Sequence, residues 1–159
     1  MSDCVFCRVL AGTAPGTFVH RDDVCAAFMD IRPVNPGHVL VVPLEHVPSL
    51  AALKPATAGH LMEVSLRMAS AIRASGVRCE GINLYVADGA AAGQEVYHTH
   101  VHVLPRYRGD GVSLRAGPHD PQSPPRAELE KIASLIRSAD PPPPTRPPAA
   151  RGDTDRHGP

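Results

Sequence analysis

The sequence predicts an α+β protein: an antiparallel sheet of about five strands, one long helix on a face of it, and a shorter C-terminal helix. Three observations predict this. Short runs rich in β-branched and aromatic residues recur between Gly and Pro turns, at residues 17–20, 24–29, 38–42, 81–87 and 97–103. Residues 55–75 carry apolar side chains at helical spacing, and residues 126–138 do so again. Finally, His98, His100 and His102 alternate with Tyr97, Thr99, Val101 and Val103, a period of two that puts all three imidazoles on one face of a strand.

Taken in order, Cys4-Val5-Phe6-Cys7 is a Cys-x-x-Cys, whose short turn lets two thiolates hold one metal. Redox motifs share that spacing but prefer a βαβ context, which is not seen here. Residues 17–20 and 24–29 flank Arg21-Asp22-Asp23 as a hairpin. Asp30 follows before Ile31-Arg32-Pro33, where a turn carboxylate is the ordinary reading, and Phe6, Phe18, Phe28 and Ile31 are each core candidates. His38 alternates with Leu40 and Val42, an inward place where an imidazole is usually hydrogen-bonded. In the long helix, Pro55 suits the first turn and Gly76 the C-terminal cap. Leu61, Val64 or Ser65, Met68 and Ile72 form its apolar stripe, widened by Met62, Leu66 and Ala69. His60, Cys25 and Cys79 receive no functional role.

The run at 81–87 leads through a small-residue loop from Asp88 into the histidine strand, and the two should pair as a hairpin. Asn83 there reads equally as an edge residue or as a polar group for a ligand. The glycine-containing loop before Gln94 and Glu95 is able to turn backbone N–H groups toward an anion. Pro105 stops the strand, and Arg106 and Arg108 sit in a turn that is either solvated or near a polyphosphate. From Asp140 on, prolines replace apolar periodicity, so the expectation is a domain over residues 1–139 and a disordered proline-rich tail over 140–159.

A row of imidazoles is not something a hydrophobic core requires. Besides acid–base or nucleophilic chemistry on an anion, it fits an open tri-histidine metal site or a solvated histidine-rich face. Charge narrows the partners: 16 basic and 16 acidic residues balance, which argues against nucleic-acid or membrane surfaces built on bulk electrostatics. No apolar run approaches the roughly 20 residues of a membrane span, and Met-Ser-Asp-Cys lacks a basic-then-apolar signal pattern. A cytoplasmic location is expected, with Cys4, Cys7, Cys25 and Cys79 as thiols or metal ligands.

His98-Thr99-His100-Val101-His102-Val103-Leu104 resembles the pattern of the histidine triad (HIT) family, His-x-His-x-His with apolar residues between and after. Asp30-Ile31-Arg32-Pro33, the 36–43 stretch and Asn83 resemble that family's upstream half, and the likeness runs over residues 4–139 in order. The Cys-x-x-Cys is similar to that of bacterial members, which implies a structural zinc held by Cys4, Cys7, His46 and His98. The resemblance further implies a purine-nucleotide hydrolase or nucleotidyl transferase that cleaves at the α-phosphate. His100 is then the nucleophile, His102 binds the phosphoryl oxygens, and His38 sets their hydrogen bonds. Asp30 and Ile31 would take the ribose and base, Asn83 the ribose or a phosphate, and Gly93, Gln94, Glu95 and Val96 the phosphate. No organic cofactor is implied, and a homodimer is. A regulatory nucleotide-binding protein without turnover is the alternative. Two residues depart from the pattern: Thr99 is less apolar than usual, and Glu95 stands where many relatives carry Ser or Thr. Its side chain is therefore expected to turn away from a phosphate, leaving its N–H.

Overall fold

Five strands form one antiparallel sheet in the computed structural model, which describes residues 4–113 and 124–139. They are β1 (Phe18–Arg21), β2 (Cys25–Met29), β3 (Val39–Pro43), β4 (Gly81–Tyr85) and β5 (Val101–Arg106), in the order β1-β2-β3-β5-β4. The α+β architecture is the one the sequence predicts. Two units are distinguishable, residues 1–114 and 115–159. The first holds the sheet with α1 (Val5–Leu10) and α2 (Pro55–Ala74); the second holds α3 (Arg126–Ala139), whose Leu129, Ile132, Leu135 and Ile136 repeat at helical spacing. The proline-rich segment expected to be disordered, 140–159, lies outside the described residues. No helix among those described is long and apolar enough to cross a membrane.

Both sheet faces are covered, so the central strands are apolar at nearly every position. Cys25, Ala27, Val39, Val41, Val101 and Val103 point to α2 and meet its stripe of Leu61, Val64, Met68, Ala69 and Ile72. Ala26, Phe28, Leu40 and Val42 point the other way, to Phe6, Val9 and Leu10 of α1. α2 starts at Pro55 and stops at Gly76, whose φ of +82° suits a residue without Cβ. Met62 and Leu66, expected to widen the stripe, are instead exposed, because α2 lies on the sheet with a narrower face. Gly37 has φ +89°, and a Cβ there would come within 2.9 Å of Val77 Cγ1, so the turn that launches β3 requires glycine.

Two boundaries differ from expectation. The Cys-x-x-Cys lies on the N-terminus of a helix, α1, which a six-residue run is too short to announce by periodicity. The histidine strand begins only at Val101. His98 and His100 precede it because the carbonyl of His98 bonds an imidazole and the Thr99 amide reaches across to Val47, at 2.7 and 2.6 Å. The same-face placement survives: the Phe6 ring lies edge-on to both His98 and His100.

Thr99 is buried and its Oγ1 has no hydrogen-bond partner among the described residues. An unpaired buried hydroxyl costs about 1–3 kcal/mol, and valine has nearly the same shape without it. Thr99→Val is therefore expected to raise stability by about 1 kcal/mol, measured by urea denaturation; a loss would show that the hydroxyl is satisfied.

Candidate functional site

Strand register assembles the site. His102 lies across from Leu40 of β3 on one side and Tyr85 of β4 on the other. Tyr85 stacks flat on its ring at 4.1 Å between centroids, and His38 approaches with Nε2 3.0 Å from His102 Nδ1. His100 stands beside it, ring centroids 4.7 Å apart. Together they line a cavity of about 640 Å³ whose apolar wall comes from α1 and β2, through Phe6, Val9 and Phe28. That is room for a nucleotide-sized ligand.

Partners that only donate or only accept fix the ring protons. His100 Nδ1 faces the carbonyl of His98 at 2.7 Å and must carry a proton, so its Nε2 holds a bare lone pair. The Val34 amide donates to His38 Nδ1 at 3.3 Å, which puts the His38 proton on Nε2, aimed at His102 Nδ1. His102 then keeps its own proton on Nε2. Asp30 Oδ2, 3.5 Å from His38 Nδ1, acts there by charge, while Oδ1 accepts the Arg32 amide at 2.8 Å.

Burial is the main influence on all of these rings and keeps them neutral. It pushes His38 and His100 down, with the His98 carbonyl and Asp30 opposing it at His100. His102 is pushed down to about 4 by burial first, then by His100 and His38.

The residues expected at a phosphate divide. Gly93, Glu95 and Val96 line the cavity, as do Asp30 and Ile31. Glu95 pairs with Arg32 at the rim, both side chains exposed. Gln94 does something different from what its place suggested. Its side chain is buried and accepts from the Gly89 amide at 2.7 Å while donating to the Pro48 and Val96 carbonyls at 3.0 and 3.1 Å. It ties the loop together, and it does not line the cavity. The Gly93 and Gln94 amides likewise close the turn, onto Ala90 and Gly89. Asn83 is outside the cavity lining too, its Oδ1 held by Arg106 Nη1 at 2.6 Å. Arg106 is itself paired with Asp110. Tyr85 is not among the residues the sequence singles out; its one signal is its place two residues on from Asn83, at the position facing His102.

A second cluster adjoins. The ligand atoms of Cys4, Cys7, His46 and His98 lie within 4.8 Å of one another. His98 Nε2 donates to the Pro43 carbonyl at 2.9 Å, leaving Nδ1 unprotonated and 3.5 and 3.6 Å from the Cys4 and Cys7 sulfurs. His46 Nδ1 is 3.3 Å from Cys7 Sγ. Those separations match the edges of about 3.5 Å in a tetrahedral Cys₂His₂ zinc site, and the carbonyl behind His98 is the support a ligating imidazole uses. The donor set fits the metal.

With this geometry in place, the comparisons are specific. The HIT domain model matches residues 11–109. An uncharacterised HIT-like protein of Borreliella burgdorferi is 41% identical over 118 residues, 74% of this chain and 85% of that one. The adenylylsulfatase HINT3 of Arabidopsis thaliana is 37% identical over 110 residues, 69% of this chain and 55% of that one. Among solved structures, a zinc-bound histidine triad family protein from Mycobacterium smegmatis superposes with a TM-score of 0.68 at 37% identity, covering 87% of this chain and 98% of the other. The chain belongs to the histidine triad family.

The depressed imidazoles carry a stability consequence. Between pH 6.5 and about 4 the unfolded chain protonates a histidine that the folded chain keeps neutral at 102, so the unfolded state binds more protons. Stability should fall as pH drops through that window, with His38 adding to it. Melting temperature against pH is expected to show a shallower slope in His102→Gln than in the parent; parallel slopes would contradict it.

Proposed function

We propose that the chain is a nucleotide hydrolase that passes through a nucleotidyl-histidine intermediate. One observation carries this reading: neighbouring rings hold opposite Nε2 states, a bare lone pair on His100 and an N–H on His102. A neutral imidazole with its lone pair exposed is a nucleophile, and an N–H beside it is a donor for phosphoryl oxygen.

In this reading His100 Nε2 attacks the α-phosphate, the bond to the leaving group breaks, and nucleotidyl-His100 forms. Water then attacks the same phosphorus, releasing the nucleoside monophosphate and restoring the imidazole. His102 donates to the phosphoryl oxygens, and His38 holds its tautomer. Backbone N–H groups of Glu95 and Val96 stabilise developing charge, a role worth about 3 kcal/mol per donor elsewhere. Asp30, with acceptor capacity left on Oδ2, takes the ribose hydroxyls, and Phe6, Phe28 and Ile31 enclose the base. The Arg32 partner offsets the Glu95 charge beside the phosphate. Likeness to an adenylylsulfatase supports adenylylated compounds as the substrate class, alongside dinucleoside polyphosphates and nucleoside phosphoramidates.

Cys4, Cys7, His46 and His98 hold a structural zinc in the same reading, supported by their donor geometry and by the zinc-bound relative. The metal fixes α1 to the segment that bears His100. A homodimer, expected from the family, is checked by light scattering on the purified chain.

Intact-protein mass spectrometry after rapid acid-free quenching tests the mechanism, with diadenosine polyphosphate, adenosine phosphoramidate and adenosine phosphosulfate as substrates. Wild type is expected to gain a nucleotidyl mass and His100→Ala to lose turnover by at least about a thousandfold while still binding nucleotide. Unchanged turnover in His100→Ala would remove the nucleophile; neither adduct nor mononucleotide from any substrate would favour a binding protein. Elemental analysis of Cys4→Ser and Cys7→Ser is expected to show one zinc equivalent fewer than wild type.

A further inference from the structure

On the α2 face of the sheet, away from the cavity, a different set of ligand-type side chains converges. Asp22 closes the β1–β2 hairpin, its Oδ1 accepting the Val24 and Cys25 amides at 2.9 and 2.8 Å. Its Oδ2 is left to face side chains from three elements. His20 Nε2 of β1 lies at 2.9 Å, His60 Nε2 of α2 at 2.8 Å, and Cys25 Sγ of β2 at 3.9 Å. The ligand atoms of His20, Asp22 and Cys25 are within 4.8 Å of one another, and His60 stands outside that group, joined to it through Asp22 Oδ2.

A hub that only braced the hairpin would need donors and nothing more; amide, hydroxyl or ammonium groups would serve. Here every group meeting Oδ2 is also a good ligand for a borderline divalent cation, and imidazole, carboxylate and thiolate together suit zinc. Behind His60, Glu63 Oε2 stands 3.8 Å from Nδ1. That is where a metal-bound imidazole sends its other N–H, and the hydrogen bond to Asp22 makes no use of it. The approach is open: the side chains of His60 and Asp22 are 32% and 28% exposed, while Cys25 closes the floor from the core.

We propose a second metal site, separate from the Cys4–Cys7–His46–His98 cluster, in which His20 Nε2, Asp22 Oδ2 and Cys25 Sγ hold one divalent ion of the zinc class and His60 Nε2 turns in from Asp22 as the fourth ligand. On binding, each ring proton moves from Nε2 to Nδ1, where Glu63 accepts that of His60, and the Cys25 thiol proton passes to solvent. Carboxylate and thiolate together balance the ion's charge. The ion joins α2 to a hairpin 38 positions away.

The test uses the full chain, stripped by chelation and titrated calorimetrically with Zn²⁺, with metal counted by elemental analysis. Wild type is expected to take two equivalents and His60→Ala one, with His20→Ala matching it. In Cys4→Ser/Cys7→Ser, added Co²⁺ is expected to give a thiolate charge-transfer band that Cys25→Ala removes. A wild type saturating at one equivalent, or a His60→Ala that still takes two, overturns the site. A second equivalent bound without the cobalt–thiolate band overturns the place of Cys25. Should the double serine variant fail to fold, the His60→Ala count decides alone.

Discussion

The hydrogen bond from His100 Nδ1 to the carbonyl of His98 holds the cavity's chemistry and the cysteine cluster in one frame. It withdraws that carbonyl from the β-ladder, which is why the strand begins three residues after His98. It also fixes the proton of His100 on the side away from the cavity. The ring of His98, meanwhile, sits between the Pro43 carbonyl and the two thiols. One residue thus orients the central histidine with its backbone and meets the cysteines with its side chain. Burial does the rest: with the rings out of water, neutral imidazoles and defined tautomers are the low-energy states.

The polar side chains around the cavity are arranged in two ranks. His100, His102, Asp30 and Glu95 line it, while Gln94 is turned inward to hold the loop. Gln94 commits its amide to three backbone groups from two segments, so the loop's shape depends on a side chain that the cavity never sees. Tyr85 plays a comparable part for His102, stacking flat on the ring whose Nδ1 His38 meets.

Much of this is legible in the sequence. Alternation places the three histidines together, Pro55 and Gly76 bracket the long helix, and the family resemblance joins Cys4, Cys7, His46 and His98 in one set. What is not legible shares a physical cause. α1 is too short to show a period, and the exposure of Met62 and Leu66 depends on how α2 lies on the sheet. The fates of Asn83, Gln94 and Arg106 depend on which neighbour each reaches first, a question of tertiary distance that no spacing along the chain encodes. His60 illustrates it best. Alone on a helix it looks idle, and only the packing of α2 on the hairpin brings it to Asp22.

The first helix works as a lever. Cys4 and Cys7 bracket its opening turn, and Phe6 and Val9 stand on the same short axis facing the cavity. Each residue of an α-helix advances the side chain by about 100°. Inserting or deleting a single residue in this stretch would turn the residues beyond it by that angle against those before it, so the cysteines and the apolar wall keep their relation only at a fixed length. Diversification of the wall is thereby confined to changes of side-chain size at fixed positions, and the length of the segment is frozen by the sulfurs at its start.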